Sequence, residues 1–261
     1  MPRANRYITE GSNFHVTHRC HDRAFLLKFA RDRNGYRALL RDHLRDSDVC
    51  LLGYCITSNH VHLLVNVPSR EALSTLMQSV AGEFAQDYNR RKRRSGAFWG
   101  DRFHATLVDS DEYLLRCMRY IDLNMVRAGV VAHPEDWDWC GYRELAGLRR
   151  RYRLIDRTRL FEILEATADS ERLLEVYRAS MDEAIARRLF AREAMWTESL
   201  AVGSQAFVCG VEESIRNRRR LETGKSAPAG STEPDDWFLR EEPPADAYNA
   251  FSAPKIASTA P

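Results

Sequence analysis

Residues 49–67 constrain the fold more than any other stretch of the chain. Residues 49–56 (VCLLGYCI) are almost wholly apolar, Thr57-Ser58-Asn59 is a cluster of turn formers, and residues 60–67 (HVHLLVNV) are again apolar and rich in branched side chains. Two strands joined by a short polar turn account for all three parts, and composition buries the first strand on both faces. Side chains alternate along a strand, so His60 and His62 share one face while Val61 takes the other. Two neutral imidazoles on one face can converge on a single divalent ion. The same pair also fits an ordinary strand with two satisfied histidines, and so short a pattern does not separate the two.

The segments around this hairpin have clear periods. Residues 13–19 (NFHVTHR) alternate as a first strand, with Phe14, Val16 and His18 on one face. Phe29, Tyr36, Leu39, Leu40 and Leu44 recur at helical spacing and predict a helix over 31–45. Pro68-Ser69 breaks the chain and opens a helix over 71–91, with Leu73, Leu76, Met77, Val80, Phe84 and Tyr88 inward. Residues 103–108 read as a fourth strand. Asp109 or Ser110 is the expected N-cap of a helix over 111–128, ended by Gly129 at C′. Strand, helix, strand, strand, helix, strand is the order of the ferredoxin-like split βαβ arrangement, an α+β fold with helices on an antiparallel sheet. In the 111–128 helix Leu114, Met118, Ile121 and Met125 form an apolar stripe, and Tyr113, Arg116, Tyr120, Asn124 and Arg127 form a second face.

Residues 158–168, 170–192 and 212–220 again show helical spacing. From 224 onward Pro, Ala, Ser, Gly and acidic residues dominate, with Trp237, Phe238 and Tyr248 as candidate docking aromatics. The expected organisation is therefore a first domain over 1–148, a C-terminal helical extension over 149–223 and a disordered tail over 224–261. The net charge of +2 conceals three basic runs: Arg90-Arg91-Lys92-Arg93-Arg94, Arg149-Arg150-Arg151 with Arg153, and Arg216 with Arg218-Arg219-Arg220. Local charge sets the field a polyanion meets. A basic helix end complements the helix dipole, but five residues in a row exceed that need. The 90–94 run is read as a phosphate-contacting surface.

The six cysteines contain no C-x-x-C pair, so neither a zinc site nor a disulfide framework is expected. No apolar run approaches the roughly 18 residues of a membrane span, and no signal-type apolar region follows the N-terminus. A soluble, cytoplasmic protein in a reducing compartment, with no membrane partner, is the expectation.

A metal on His60 and His62 needs a further ligand, and Asn124 offers one, a turn away from Tyr120. A metal placed there would polarise a phosphoryl oxygen, and a tyrosine attacking phosphate forms a covalent phosphotyrosine that conserves the bond energy. The blocks Asn59-His60-Val61-His62-Leu63-Leu64, Phe98-Trp99-Gly100-Asp101-Arg102-Phe103 and Tyr120-Ile121-Asp122-Leu123-Asn124-Met125-Val126-Arg127-Ala128-Gly129-Val130-Val131 together resemble the single-tyrosine HUH transposases. The nearest branch is the REP-associated tyrosine transposases. The similarity spans about 7–148, and residues 201–208 (AVGSQAFV) resemble a downstream segment of the same family.

The resemblance implies the HUH endonuclease version of the fold and a metal-dependent single-strand DNA endonuclease and strand transferase acting at palindromic, hairpin-forming repeats. It implies Mg²⁺ or Mn²⁺ on His60, His62 and Asn124, and Tyr120 as the nucleophile, leaving a 5′-phosphotyrosine and a free 3′-hydroxyl. Arg90, Arg91, Lys92, Arg93, Arg94, Arg102, Arg116 and Arg127 are the expected DNA contacts of a monomer or homodimer associated with the nucleoid. Two departures are Met125, where the family has proline, and Thr57-Ser58, where it has Met-Pro. Tyr113 is read as a packing residue, Trp99 as an anchor, and His15, His18, His21 and His104 as non-ligands. Two rival readings remain: a non-catalytic binder of DNA hairpins, and a phosphodiesterase that activates water.

Overall fold

The computed structural model describes residues 11–215, 221–226 and 236–241. Strands β1 (Ser12–Arg19), β2 (Cys50–Ile56), β3 (His60–Val67) and β4 (His104–Val108) pair antiparallel in the order β2-β3-β1-β4. Helix α1 (Ala30–Arg45) connects β1 to β2, and α2 (Arg70–Lys92) connects β3 to β4. This is the expected ferredoxin-like arrangement. His62 faces Thr17 on one neighbour and Cys55 on the other, so two ladders fix its position. Val61, Leu63, Leu64 and Val65 are fully buried, as a strand covered on both faces requires.

An aromatic cluster locks the α1–α2 layer to residues 98–99. Tyr36 meets Phe84 edge-on at 5.3 Å, and Phe98 meets Phe84 at 5.2 Å. Trp99 stacks on His18 at 4.1 Å and donates its indole N–H to the Ala81 carbonyl at 2.9 Å. Trp99 is therefore an anchor.

The helix expected over 111–128 is two pieces, α3 (Glu112–Asp122) and α4 (Asn124–Arg127), separated at Leu123 (φ −76°, ψ 1°). Leu114, Met118, Ile121 and Met125 are still buried, and Gly129 ends the element at φ +68°. Neither Asp109 nor Ser110 caps α3. Asp109 instead accepts hydrogen bonds from the Ser204 backbone N–H at 3.0 Å and hydroxyl at 2.8 Å, tying the α3 approach to the C-terminal part of the chain.

That part departs most from expectation. Helices α5 (Tyr142–Leu145), α6 (Arg157–Ile163), α7 (Ser170–Ala186), α8 (Met195–Glu198) and α9 (Gln205–Ile215) are present. The sheet also continues through β5 (Ala201–Gly203), β6 (Leu221–Ser226) and β7 (Asp236–Glu241), in the order β4-β5-β7-β6. The helical extension expected over 149–223 and the tail expected from 224 are thus corrected at 201–203, 221–226 and 236–241. The reason is tertiary: Leu239 pairs with Ala201 and is fully buried, and Asp236 forms an ion pair with Arg116 of α3. Three residues of β5 are too few to show a strand period in sequence. Arg216, Arg218, Arg219, Arg220 and Tyr248 lie outside the described residues. Among the described residues no helix is long and apolar enough to cross a membrane, and the six cysteines are free thiols.

Candidate active site

The turn between β2 and β3 is knitted by Thr57. Its hydroxyl donates to the His60 carbonyl at 2.8 Å, and its oxygen accepts from the backbone N–H of Asn59 at 3.3 Å and of His60 at 3.1 Å. Asn59 donates its amide N–H to the Arg23 carbonyl at 3.1 Å, which leaves its oxygen facing His60 Nδ1 at 2.7 Å. An amide oxygen only accepts, so His60 carries its proton on Nδ1 and keeps a lone pair on Nε2. Thr57, a departure from the family pattern, thus still supports the histidine turn.

His62 lies beside His60, with ring centres 4.7 Å apart and planes at 78°. Its Nε2 is 2.9 Å from the Asn124 amide nitrogen, and its Nδ1 is 2.8 Å from His15 Nε2. The other nitrogen of His15 meets the Trp196 carbonyl at 2.7 Å. Tyr120, one helical turn before Asn124, has its ring edge-on to His15 at 6.0 Å and to His62 at 6.2 Å. It is 5% exposed, and its hydroxyl has no hydrogen-bond partner among the described residues. The Arg127 guanidinium covers the ring at 4.2 Å.

Burial dominates the electrostatics. It lowers His60 from 6.5 to about 4 and His62 well below 6.5, so both imidazoles are neutral at pH 7. Burial also raises the Tyr120 phenol above 10, while Arg127 pulls it down. Among the described residues no group of three His, Cys, Asp or Glu side chains could hold a metal. A divalent ion would rest on two imidazole nitrogens and the Asn124 amide, with other positions left for substrate oxygens. In that neutral, mixed set the two imidazole nitrogens suit softer divalent ions, whereas the amide oxygen and the positions left for substrate oxygens suit Mn²⁺ or Mg²⁺. Asn124 now directs its N–H at the His62 lone pair, so the ion would require the amide turned over to offer oxygen.

The structure therefore brings His60, His62, Asn124 and Tyr120 together. It treats the expected DNA contacts differently. Arg91 pairs with the buried Asp32, and Arg90 pairs with Asp87. Arg94 donates to Asn89 at 3.0 Å and to the Ala97 carbonyl at 2.8 Å, and the Lys92 ammonium lies 5.0 Å over Phe29. Arg93 closes α2 in the left-handed region at φ 50°, and Arg102 is exposed. Arg116 turns inward to Asp236 and is 11% exposed, and Arg127 turns inward to Tyr120. Tyr113 is buried beside Arg116 and, as read, packs.

Sequence reasoning missed His15 and Trp196. His15 has no carboxylate at paired spacing in the sequence, so nothing local marks it. The strand register shows its place: Thr17 pairs with His62, so His15, two residues earlier on the same face, is its diagonal neighbour.

No curated protein matches the chain in sequence. Among solved structures, a REP-associated tyrosine transposase bound to a REP hairpin is similar at TM-score 0.49 and 19% identity, over 57% of this chain and 89% of that one. A Deinococcus radiodurans R1 protein described as a transposase is similar at TM-score 0.33 and 16% identity, over 42% of this chain and 87% of that one. The family model described as "Transposase IS200 like" matches residues 9–124, a span that holds His60, His62, Tyr120 and Asn124. Over residues 9–124 the chain is thus similar to the IS200-like transposases.

Proposed function

We propose that this chain is a metal-dependent single-strand DNA endonuclease and strand transferase of the REP-associated type, acting at hairpin-forming repeats. One observation carries the reading: Tyr120, whose hydroxyl has no hydrogen-bond partner among the described residues, lies edge-on to His62, which itself meets the His60 ring and the Asn124 amide, so that three elements gather the group. His60 and His62 offer Nε2 and Asn124 its amide oxygen. Mg²⁺ or Mn²⁺ held there would polarise phosphoryl oxygens and offset the charge that builds on them. Tyr120 gives its proton to water and attacks phosphorus. The P–O3′ bond breaks, the 3′-oxygen leaves with the electron pair and takes a proton, and the phosphate stays joined to Tyr120 on the 5′ side. Attack by the freed or an incoming 3′-hydroxyl reverses the step and transfers the strand. The hairpin partner is supported by the three motif blocks.

The test is a single-stranded hairpin oligonucleotide incubated with the protein and Mn²⁺, then run on a denaturing gel. A label 3′ of the cut should shift to a protein-bound band, while a label 5′ of the cut should run as a free fragment. Cleavage with no shifted band supports the water-activating phosphodiesterase, and retention of intact DNA alone supports the non-catalytic binder.

A further inference from the structure

His15 is fully buried, and its ring meets His62, Tyr120 and the Trp196 carbonyl, with no carboxylate among its hydrogen-bond partners. A buried imidazole without a counter-charge is neutral and has one N–H. The Trp196 carbonyl can only accept, so that proton sits on Nδ1, 2.7 Å away. His15 Nε2 is then an acceptor. His62, 2.8 Å away through its Nδ1, must donate. The chain of donors therefore leaves the His62 lone pair on Nε2, aimed at Asn124.

The far end of the relay is held in place. The Thr106 hydroxyl lies 3.2 Å from the same Trp196 carbonyl and 2.8 Å from the Ser199 carbonyl, and the Trp196 side chain is fully buried. Trp196 belongs to α8, outside the 9–124 span of the transposase domain.

We propose that His15 is a positioning residue: anchored by the Trp196 carbonyl, it fixes His62 in the tautomer whose Nε2 can ligate a divalent cation. The C-terminal part of the chain thereby completes a site whose ligands all lie in the transposase domain. The function of the relay rests on the metal reading proposed above, whereas its existence does not. Hydrogen-bond partners that orient a ligating histidine in this way commonly contribute about 10- to 100-fold to metal affinity.

Two measurements on the full chain without DNA test it. Long-range ¹H–¹⁵N imidazole spectra of the metal-free protein should show both His15 and His62 protonated on Nδ1. A proton on His62 Nε2 overturns the proposal. In Mn²⁺ titrations followed by electron paramagnetic resonance, His15→Leu should bind about 10- to 100-fold more weakly. His15→Gln, whose amide oxygen can accept from His62, should recover affinity to within about threefold of wild type. Unchanged affinity in His15→Leu, or no recovery in a folded His15→Gln, overturns it. Should His15→Leu fail to fold, the wild-type spectrum and the His15→Gln titration still decide. A wild type that binds no Mn²⁺ sinks the metal reading instead, and the tautomer spectrum then judges the relay alone.

Discussion

The Arg127 guanidinium lies 4.2 Å from the centre of the Tyr120 ring, and also donates to the Tyr120 carbonyl at 3.0 Å and the Phe190 carbonyl at 2.9 Å. A cation over the ring favours the phenolate over the phenol, and it acts against the burial that holds the proton on. Arg127→Gln should therefore slow single-turnover cleavage about tenfold or more at neutral pH, with the deficit narrowing at higher pH. Loss of the stacked cation and its two hydrogen bonds should cost about 1–3 kcal/mol of stability. Because this side chain is already engaged inside the protein, hairpin affinity measured by anisotropy should change less than about twofold. A large loss of affinity with unchanged chemistry would return Arg127 to the role of a phosphate contact.

Arg116 and Asp236 clamp β7 against α3 through two hydrogen bonds, one of them at 2.6 Å, with Asp236 only 1% exposed. Removing one partner of such a pair takes two charge-assisted hydrogen bonds from a charge that is nearly buried. Asp236→Ala should cost about 3–5 kcal/mol, and Arg116→Met with Asp236→Leu together should cost far less. Thermal melts of the single and double variants check this. Equal melting temperatures for wild type and Asp236→Ala would show that β7 does not depend on the clamp.

The elements legible in sequence are those whose signal is local. The β2–turn–β3 hairpin, the α2 stripe and the Gly129 stop all depend on residues within a few positions of one another. The relay does not: His15 and His62 are 47 residues apart, and His15 and Trp196 are 181 apart. Asp236 reached Arg116 across 120 residues, out of a segment whose composition reads as a tail. Arg127 shows the same limit in another form. The helix expected to carry it breaks at Leu123, and a charged residue on a helix face reads as solvated until another segment is seen to cover it. His60, His62, Asn124 and Tyr120 were legible because their blocks occur together in the right order.

The two described basic runs should behave differently toward DNA. In the 90–94 run, four of the five side chains already have partners within the protein. In the other run Arg150, Arg151 and Arg153 are exposed, and Arg149–Arg151 line an open cleft of ≈ 750 Å³ with Trp139 and Tyr152. Glu144, which accepts from the backbone N–H groups of Leu154 at 2.8 Å and Ile155 at 3.0 Å, anchors the loop. Neutralising Arg150, Arg151 and Arg153 should flatten the log–log salt dependence of binding by about 0.7 per lost contact, roughly 2 in all. Neutralising Arg90, Arg91, Arg93 and Arg94 should change it less. A larger effect from the second set would reinstate the 90–94 run as the main phosphate surface.

The pH dependence follows from burial. The Tyr120 phenol titrates above 10, and His60 near 4 with His62 well below 6.5. The deprotonated phenol is the reacting form, so its fraction rises about tenfold per pH unit below its pKa. Single-turnover cleavage at saturating Mn²⁺ should climb from pH 6 to 9 with a log-rate slope near one. The histidines, both lowered by burial from 6.5, should add no inflection there. A bell centred near neutrality would contradict both assignments.

Tyr120 carries the decisive substitution. Its hydroxyl has no hydrogen-bond partner among the described residues, while its ring is 5% exposed and packed against Trp196 at 6.3 Å. Tyr120→Phe keeps that packing and removes only the attacking oxygen, so stability should stay within about 0.5 kcal/mol of wild type. Hairpin binding should be retained, and both cleavage and the covalent protein–DNA band should vanish. Tyr113→Phe is the matched control, buried on the same helix two turns earlier but beside Arg116, away from the histidines. It should form the adduct at near wild-type yield. An adduct that survives in Tyr120→Phe and disappears in Tyr113→Phe would move the nucleophile to Tyr113 and detach Asn124 and the two histidines from the chemistry. Cleavage that persists in both without any adduct would leave Tyr120 as packing and water as the attacking group.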